Sequence, residues 1–247
     1  MQIAEVLYQS KQLKQLAGML ETEFNVKSRR YTPVPPSFSD GRKEQLPPNT
    51  IFLGMSNSHE CAINFSSDPI VVVDLHSDMY SCLISRFFGE ITNANWIYWA
   101  LKRKREVHLV VPIMGHLTRP NYFDIPAGCE NYFNLYSPDA SKPSQNCTVI
   151  KGLWSSRNCA KEVKPVEELA KISGPVQSSI DMDFISYATG GKKEKILDSI
   201  PKPTRCDFWI DYELEYGIIP WEKHMKAAKE KYRQYQYELC LDILRKI

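Results

Sequence analysis

Three short stretches carry the residue types that hold metal ions: Asn57-Ser58-His59-Glu60, Asp74-Leu75-His76-Ser77-Asp78 and Asp181-Met182-Asp183. Together His59, Asp74, His76, Asp78, Asp181 and Asp183 supply two imidazoles and four carboxylates. Mixed nitrogen and oxygen donors suit manganese, iron, nickel or zinc, whereas magnesium and calcium favour all-oxygen sets. Two such ions about 3.5 to 4 Å apart bring the pKa of a shared water toward neutrality, so hydrolysis is the chemistry this set would serve. Taken singly the stretches are less telling. Asp-x-Asp after a strand is common as a magnesium-binding element or a helix cap, and a lone histidine is more often a satisfied surface or core residue. Asp74-x-His76-x-Asp78 is more specific, because three ionisable groups directly behind Val71-Val72-Val73 face a large desolvation cost unless a metal, other partners or water satisfies them.

Strands must position such a set. Ile51-Phe52-Leu53, ending at Gly54, and Ile70-Val71-Val72-Val73 are apolar runs without polar alternation, as expected of strands buried on both faces. Val107 to Val111 repeats the signature, and Cys147 to Ile150, Val176 to Ile180 and Phe208 to Ile210 are weaker examples. Helical spacing falls at about residues 59–66, 79–88, 94–103, 165–172 and 192–199. This alternation predicts a three-layer α/β/α fold around a mostly parallel sheet. Ligands of such sheets gather beyond the carboxyl ends of the strands, where all three stretches fall. Residues 3–20 read as one amphipathic helix weakened at Ser10 to Gln12, and Pro220 to Ile247 as a long C-terminal helix with proline in its first turn. Residues 27–48, with Pro33, Pro35, Pro36, Pro47 and Pro48, read as a long loop or lid.

A single domain over 1–247 is expected, since 247 residues with 43% hydrophobic content can bury a sizeable core. The balance of 31 basic against 29 acidic residues, net +2, gives no bulk field for nucleic acid or an anionic membrane. Trp96, Tyr98 and Trp99 ahead of Lys102, Arg103, Lys104 and Arg105 read as a core-facing stripe with a solvated basic end rather than as a nucleic-acid surface. Charges interrupt residues 1 to 25 and no apolar run is long enough to span a bilayer, so the expectation is a cytoplasmic protein without membrane contact. The cysteines, seven in all and none in a Cys-x-x-Cys pair, are expected to be reduced and partly buried. Homo-oligomerisation is left open.

Gly54-x-x-x-x-His59, then Asp74-x-His76-x-Asp78, then Ser179-x-Asp181-x-Asp183 resembles the ligand order of the ureohydrolase superfamily, the arginases, agmatinases and related dimanganese hydrolases. The resemblance covers roughly residues 51 to 215 and lies in the order and type of ligand. The chain departs from the family pattern in Ser56-Asn57-Ser58-His59-Glu60 for Gly-Gly-Asp-His-Ser, in Leu75 for alanine, and in Phe184-Ile185-Ser186 where Asp-Pro is usual. With Asn95-Trp96 behind the second motif, it is more similar to the compact branch that includes peptide arginases.

The resemblance implies two Mn2+ ions as cofactors, bridged by Asp74 and Asp181, with His59 and Asp78 completing one and His76 and Asp183 the other. It further implies that a metal-bridging hydroxide attacks the guanidinium carbon of an arginine in a ribosomally synthesised peptide, releasing urea and leaving ornithine, with Asp181 handling the proton. A guanidinium needs a carboxylate partner, and Asp211, Glu213 and Glu215, which follow Phe208-Trp209-Ile210, are the candidates by position. His116, past the Val107 run, is a candidate proton shuttle, although a surface-loop histidine is the commoner reading. Free arginine, agmatine or an acylated amine are alternative substrates on the same fold, and a non-catalytic binding protein is the alternative of another class.

Overall fold

Runs of β-branched and apolar residues form the middle of one sheet, and amphipathic segments cover its two faces. The computed structural model describes residues 2–36, 45–76, 78–79, 89–112, 125–140, 145–150, 158–186, 188, 190–210 and 222–247, with the backbone alone for 145–150, 158–161, 185–186 and 222–229. Its strands are β1 (Glu5–Tyr8), β2 (Lys27–Arg30), β3 (Thr50–Met55), β4 (Ile70–Val73), β5 (Val107–Val110), β6 (Phe133–Ser137), β7 (Gln145–Ile150), β8 (Asn158–Pro165), β9 (Gln177–Asp181) and β10 (Arg205–Ile210). They join in the order β2-β1-β3-β10-β9-β4-β5-β6-β8-β7, with every pairing parallel except β7 with β8. The expected α/β/α architecture with a mostly parallel sheet is what the chain adopts.

One face packs helix α1 (Lys14–Phe24), the short α4 (Lys192–Leu197) and the C-terminal part of α5 (Glu222–Lys246). Leu16, Ala17 and Leu20 of α1 and Leu239, Cys240 and Ile243 of α5 share a buried cluster with Val71, Val73, Ile180 and Phe208. Burial of each leucine, isoleucine, valine or phenylalanine there contributes about 1.5–3 kcal/mol. Asn25 closes α1 in the left-handed conformation at φ 51°, a role its short polar side chain tolerates. The other face carries α2 (Ala62–Phe65) and α3 (Trp96–Lys102), which pack Phe65, Trp96 and Trp99 on Phe52, Val72, Leu109 and Trp209. Among the described residues no helix is long and apolar enough to cross a membrane, and Cys129, Cys206 and Cys240 are free and, like Cys61, buried.

Several expected boundaries move. Residues 3–20 are not one helix: Glu5 to Tyr8 form β1, because Val6 and Leu7 sit between cores on opposite faces of the sheet, and helix begins only past Ser10. The expected loop 27–48 opens with β2, which adds a basic edge strand to β1. Its far end is tied at the amino-terminal side of the sheet, where Leu46 N–H donates to Phe65 O at 3.0 Å. The expected helix at 59–66 is a 3-10 turn, Ser56–Cys61, that runs into α2, and the one at 165–172 is a 3-10 turn throughout Val166–Lys171. The basic end of α3 is not wholly solvated either. Arg105 is buried because its guanidinium finds acceptors in Asp68 O at 2.7 Å and Gln177 Oε1 at 2.8 Å. The expected helix 79–88 lies almost entirely outside the described residues.

Candidate metal centre

Parallel register brings the three sequence stretches to one edge. Val73 of β4 pairs with Ile180 of β9, so Asp74 and Asp181 are the next residues on neighbouring strands. β10 separates β9 from β3, and His59 lies in the turn that follows β3. The chain leaves β3, crosses the face that carries α2 and re-enters as β4 beyond the two intervening strands, a change of strand order that opens a crevice at the carboxyl ends.

Within that crevice His59 Nδ1 lies 3.5 Å from Asp74 Oδ2, 3.5 Å from Asp78 Oδ2 and 3.4 Å from Asp181 Oδ2. Among the described residues neither His59 Nδ1 nor Asp74 Oδ2 has a hydrogen-bond partner, and both are buried. Across Asp74, His76 Nδ1 lies 3.0 Å from Asp183 Oδ2 and 3.7 Å from Asp74 Oδ1. Two groups result, His59 with Asp74 and Asp78, and Asp74 with His76 and Asp183, each offering ligand atoms within 4.8 Å of one another and sharing Asp74. A buried imidazole nitrogen and a buried carboxylate oxygen that face each other at 3.5 Å without a hydrogen bond are costly alone and are what a cation would satisfy. Four ionised carboxylates also match the charge of two divalent ions when both imidazoles are neutral ligands. The donor set therefore fits a pair of divalent transition-metal ions.

Protonation tells the same story. Burial drives the carboxyl of Asp74 up to about 6 and that of Asp183 to about 7, with the neighbouring carboxylates adding to it, and burial pushes Asp78 well above its usual range. Burial disfavours the charged form of His59, yet Asp181, Asp74 and Asp78 outweigh it and lift its pKa to about 9. Asp183 and Asp74 raise that of His76 to about 12. Without a cation the cluster shares out protons to limit its own repulsion.

Local contacts aim Asp74, Asp181 and Asp78. His76 N–H donates to Asp74 Oδ1 at 2.7 Å, and Ser56 Oγ donates to Asp181 Oδ2 at 2.8 Å. Asp78 adopts φ 46°, and Trp96 Nε1 donates to its Oδ2 at 2.7 Å. Ile97 N–H binds the Asp78 carbonyl at 3.1 Å, so the start of α3 grips this ligand at both backbone and side chain.

Beneath His59 runs a buried polar column. Strand alternation puts Gln177, Ser179 and Asp181 of β9 on one face, beside Arg205, Asp207 and Trp209 of β10. His59 Nε2 lies 2.9 Å from Ser179 Oγ, which also contacts Asp207 Oδ2 very closely. Trp209 Nε1 donates to Ser179 Oγ at 3.0 Å and to Asp207 Oδ2 at 2.8 Å. Gln177 Nε2 donates to Asp207 Oδ1 at 2.6 Å, and Arg105 Nη2 donates to Gln177 Oε1 at 2.8 Å. Burial raises the Asp207 carboxyl, opposed by these hydrogen bonds, and lowers the Arg105 guanidinium to about 10, leaving it cationic at neutral pH. Trp209 lies flat enough for this only because its strand neighbour is Gly54: a Cβ there would sit 2.3 Å from Trp209 Cζ3.

The six residues singled out as ligands, His59, Asp74, His76, Asp78, Asp181 and Asp183, are thus brought together. His116, Asp211, Glu213 and Glu215 lie outside the described residues. The supporting roles of Ser56, Ser179, Asp207 and Trp209 were not read from the sequence, although Ser179 stands in the third motif. A signal was available, since Gln177, Ser179, Asp181 and Arg205, Asp207 place polar residues at every second position of strands that must be buried on both faces. No family model, no curated protein and no solved structure matches the chain.

Proposed function

We propose that the protein is a dimetal hydrolase that removes urea from the arginine side chain of a peptide, leaving ornithine. The observation that carries the hydrolase reading is the pair of three-ligand groups sharing Asp74, with His59 Nδ1 and Asp74 Oδ2 buried and without a hydrogen bond among the described residues. The substrate reading is supported by the ureohydrolase-like order of the ligands along the chain, and Mn2+ is the ion that order implies. When bound, two such ions supply Lewis acidity and bring water's pKa toward neutrality.

The chain's own residues supply the rest. Water adds to the guanidinium carbon, the bond from that carbon to the side-chain nitrogen breaks, and urea and the ornithine amine leave. Asp181, fixed by the Ser56 hydroxyl and almost fully buried, accepts the proton of the attacking water and returns it to the leaving amine. Trp96 and the α3 start hold Asp78 in place, so the constellation is set before substrate arrives. His76, with 43% of its side chain exposed, marks the side from which an arginine side chain enters.

The test is to load the protein with Mn2+, incubate it with arginine-containing peptides and with free arginine, and measure urea together with loss of one cyanamide equivalent from the peptide. Urea and the matching mass loss from peptide are expected. Urea from free arginine alone overturns the peptide assignment. No urea from any guanidino compound, with Asp74→Ala retaining full metal content, removes the dimetal reading.

A further inference from the structure

We infer that Asp207 is a positioning residue that acts through Ser179 to fix the tautomer of His59, so that Nδ1 presents its lone pair to the metal. The inference rests on the dimetal reading. It follows from a donor count along the buried column. Arg105 has donors only, so the oxygen of Gln177 faces it and the Gln177 amide N–H must point to Asp207 Oδ1. Trp209 Nε1 also has only a donor, and it points at both Asp207 Oδ2 and Ser179 Oγ. Asp207 therefore receives donors on both oxygens and is the acceptor at the centre of the column. The Ser179 hydroxyl, whose single proton goes to Asp207, has none left to give to His59. His59 Nε2 must then be the donor, at 2.9 Å, and in the neutral ring that a metal binds Nδ1 is left bare. Nδ1 is the atom that faces Asp74, Asp78 and Asp181 and, among the described residues, makes no hydrogen bond.

The direction of every bond is thus set from two residues that can only donate, Arg105 and Trp209, and converges on one carboxylate. If Asp207 is replaced by asparagine of the same shape, no arrangement keeps this order. With its amide nitrogen toward Ser179, that nitrogen opposes the Trp209 donor and turns the Ser179 proton toward His59 Nε2, which moves the imidazole proton to Nδ1. With the amide nitrogen toward Gln177, two donors face each other. Partners that orient a ligating histidine in this way typically contribute 10–100-fold to metal affinity.

The test is Mn2+ titration of wild-type protein, Asp207→Asn, Ser179→Ala and Ser179→Thr, with visible spectra of the Co2+-loaded forms and thermal unfolding of the metal-free forms. Asp207→Asn and Ser179→Ala are each expected to weaken one of two binding steps by about 10–100-fold, to alter the Co2+ spectrum and to leave the other step unchanged. Ser179→Thr, which keeps the hydroxyl, is expected to restore both steps. Ser179→Ala leaves Asp207 paired to Gln177 and Trp209, so it reports even where Asp207→Asn fails to fold. Unchanged affinities in the variants that fold overturn the inference and leave the dimetal reading standing, as does an equal fall in both steps, which would mark a merely structural role. Wild-type protein that takes up no Mn2+ overturns both.

Discussion

The two halves of the candidate metal centre are built on opposite terms. The His59 ring is 1% exposed, lies 4.8 Å from the Trp96 ring and 4.9 Å from that of Trp209, and stands on the buried column below. The His76 ring is 43% exposed and is held by Asp183 and Asp74 at the mouth of the crevice. A ligand already fixed in place loses little freedom when an ion binds, whereas a mobile one must be ordered at that moment. On the proposed reading affinity and access are therefore divided: the His59 half would be a preorganised cation site, and the His76 half would keep its opening to solvent and substrate. The expected result is one tightly held ion and one exchangeable ion.

The largest effect belongs to the residue both halves share. Asp74→Ala is expected to abolish binding of both ions, with hydrolysis falling by more than the roughly 100-fold that follows loss of an outer partner. His76→Ala should instead keep one ion, the tight one. Metal content after dialysis checks both, and an Asp74→Ala protein that retains one tightly held ion would show that the halves are independent.

Proton competition should separate the halves next. Ligands must shed protons to bind, and His76 holds its proton to about 12 against about 9 for His59, so the exchangeable ion should be the more sensitive to acid. Linkage gives a sign for the metal-free protein as well. Asp74, Asp183, His59 and His76 all have folded pKa values above their unfolded ones, so the stability they contribute is full below the unfolded values. For the two aspartates it is lost as pH rises through about 6 and 7, and for His59 as pH rises through about 9. Metal-free protein should thus unfold at a lower temperature at about pH 8.5 than at about pH 5.5, while the increase on adding Mn2+ should grow over the same range. A metal-free melting temperature that climbs across that range would mean that the carboxylates are not crowded.

The sequence exposed one half more clearly than the other. Ile70 to Val73 and the Asp-x-His-x-Asp behind it are local, so the strand, its carboxyl end and the ligands it carries could be read from adjacent residues. The parallel sheet was legible for the same reason. What supports His59 was not, because Ser179, Asp207 and Arg105 come from three distant segments and meet only through the register of β9 with β10 and the turn after α3. β1 was hidden because four residues leading into a helix share its apolar pattern, and β2 because its exposed Lys27, Arg29 and Arg30 carry no burial signal at all. Edge strands lack the two-sided burial that makes central strands readable.

Trp96 offers the finest test of the division between the halves. Its indole serves two purposes: the ring packs within the buried cluster, and Nε1 donates to Asp78 Oδ2, the oxygen that faces His59 Nδ1. Trp96→Phe keeps much of the packing and removes the donor. A hydrogen bond to a charged group contributes about 1.5–3 kcal/mol, but a bound cation satisfies the same oxygen, so only part of that should be lost in the loaded protein. The tight ion should therefore bind up to about tenfold more weakly, the lower end of the effect of outer partners, because Asp78 is freed to turn. The backbone bond from Ile97 to the Asp78 carbonyl remains and limits that freedom. The exchangeable ion, whose ligands Asp74, His76 and Asp183 do not touch the indole nitrogen, should bind as before. Mn2+ titration reads both steps at once. A change confined to the exchangeable step would mean that Asp78 serves the His76 half, and the assignment of ligands between the two ions would have to be exchanged.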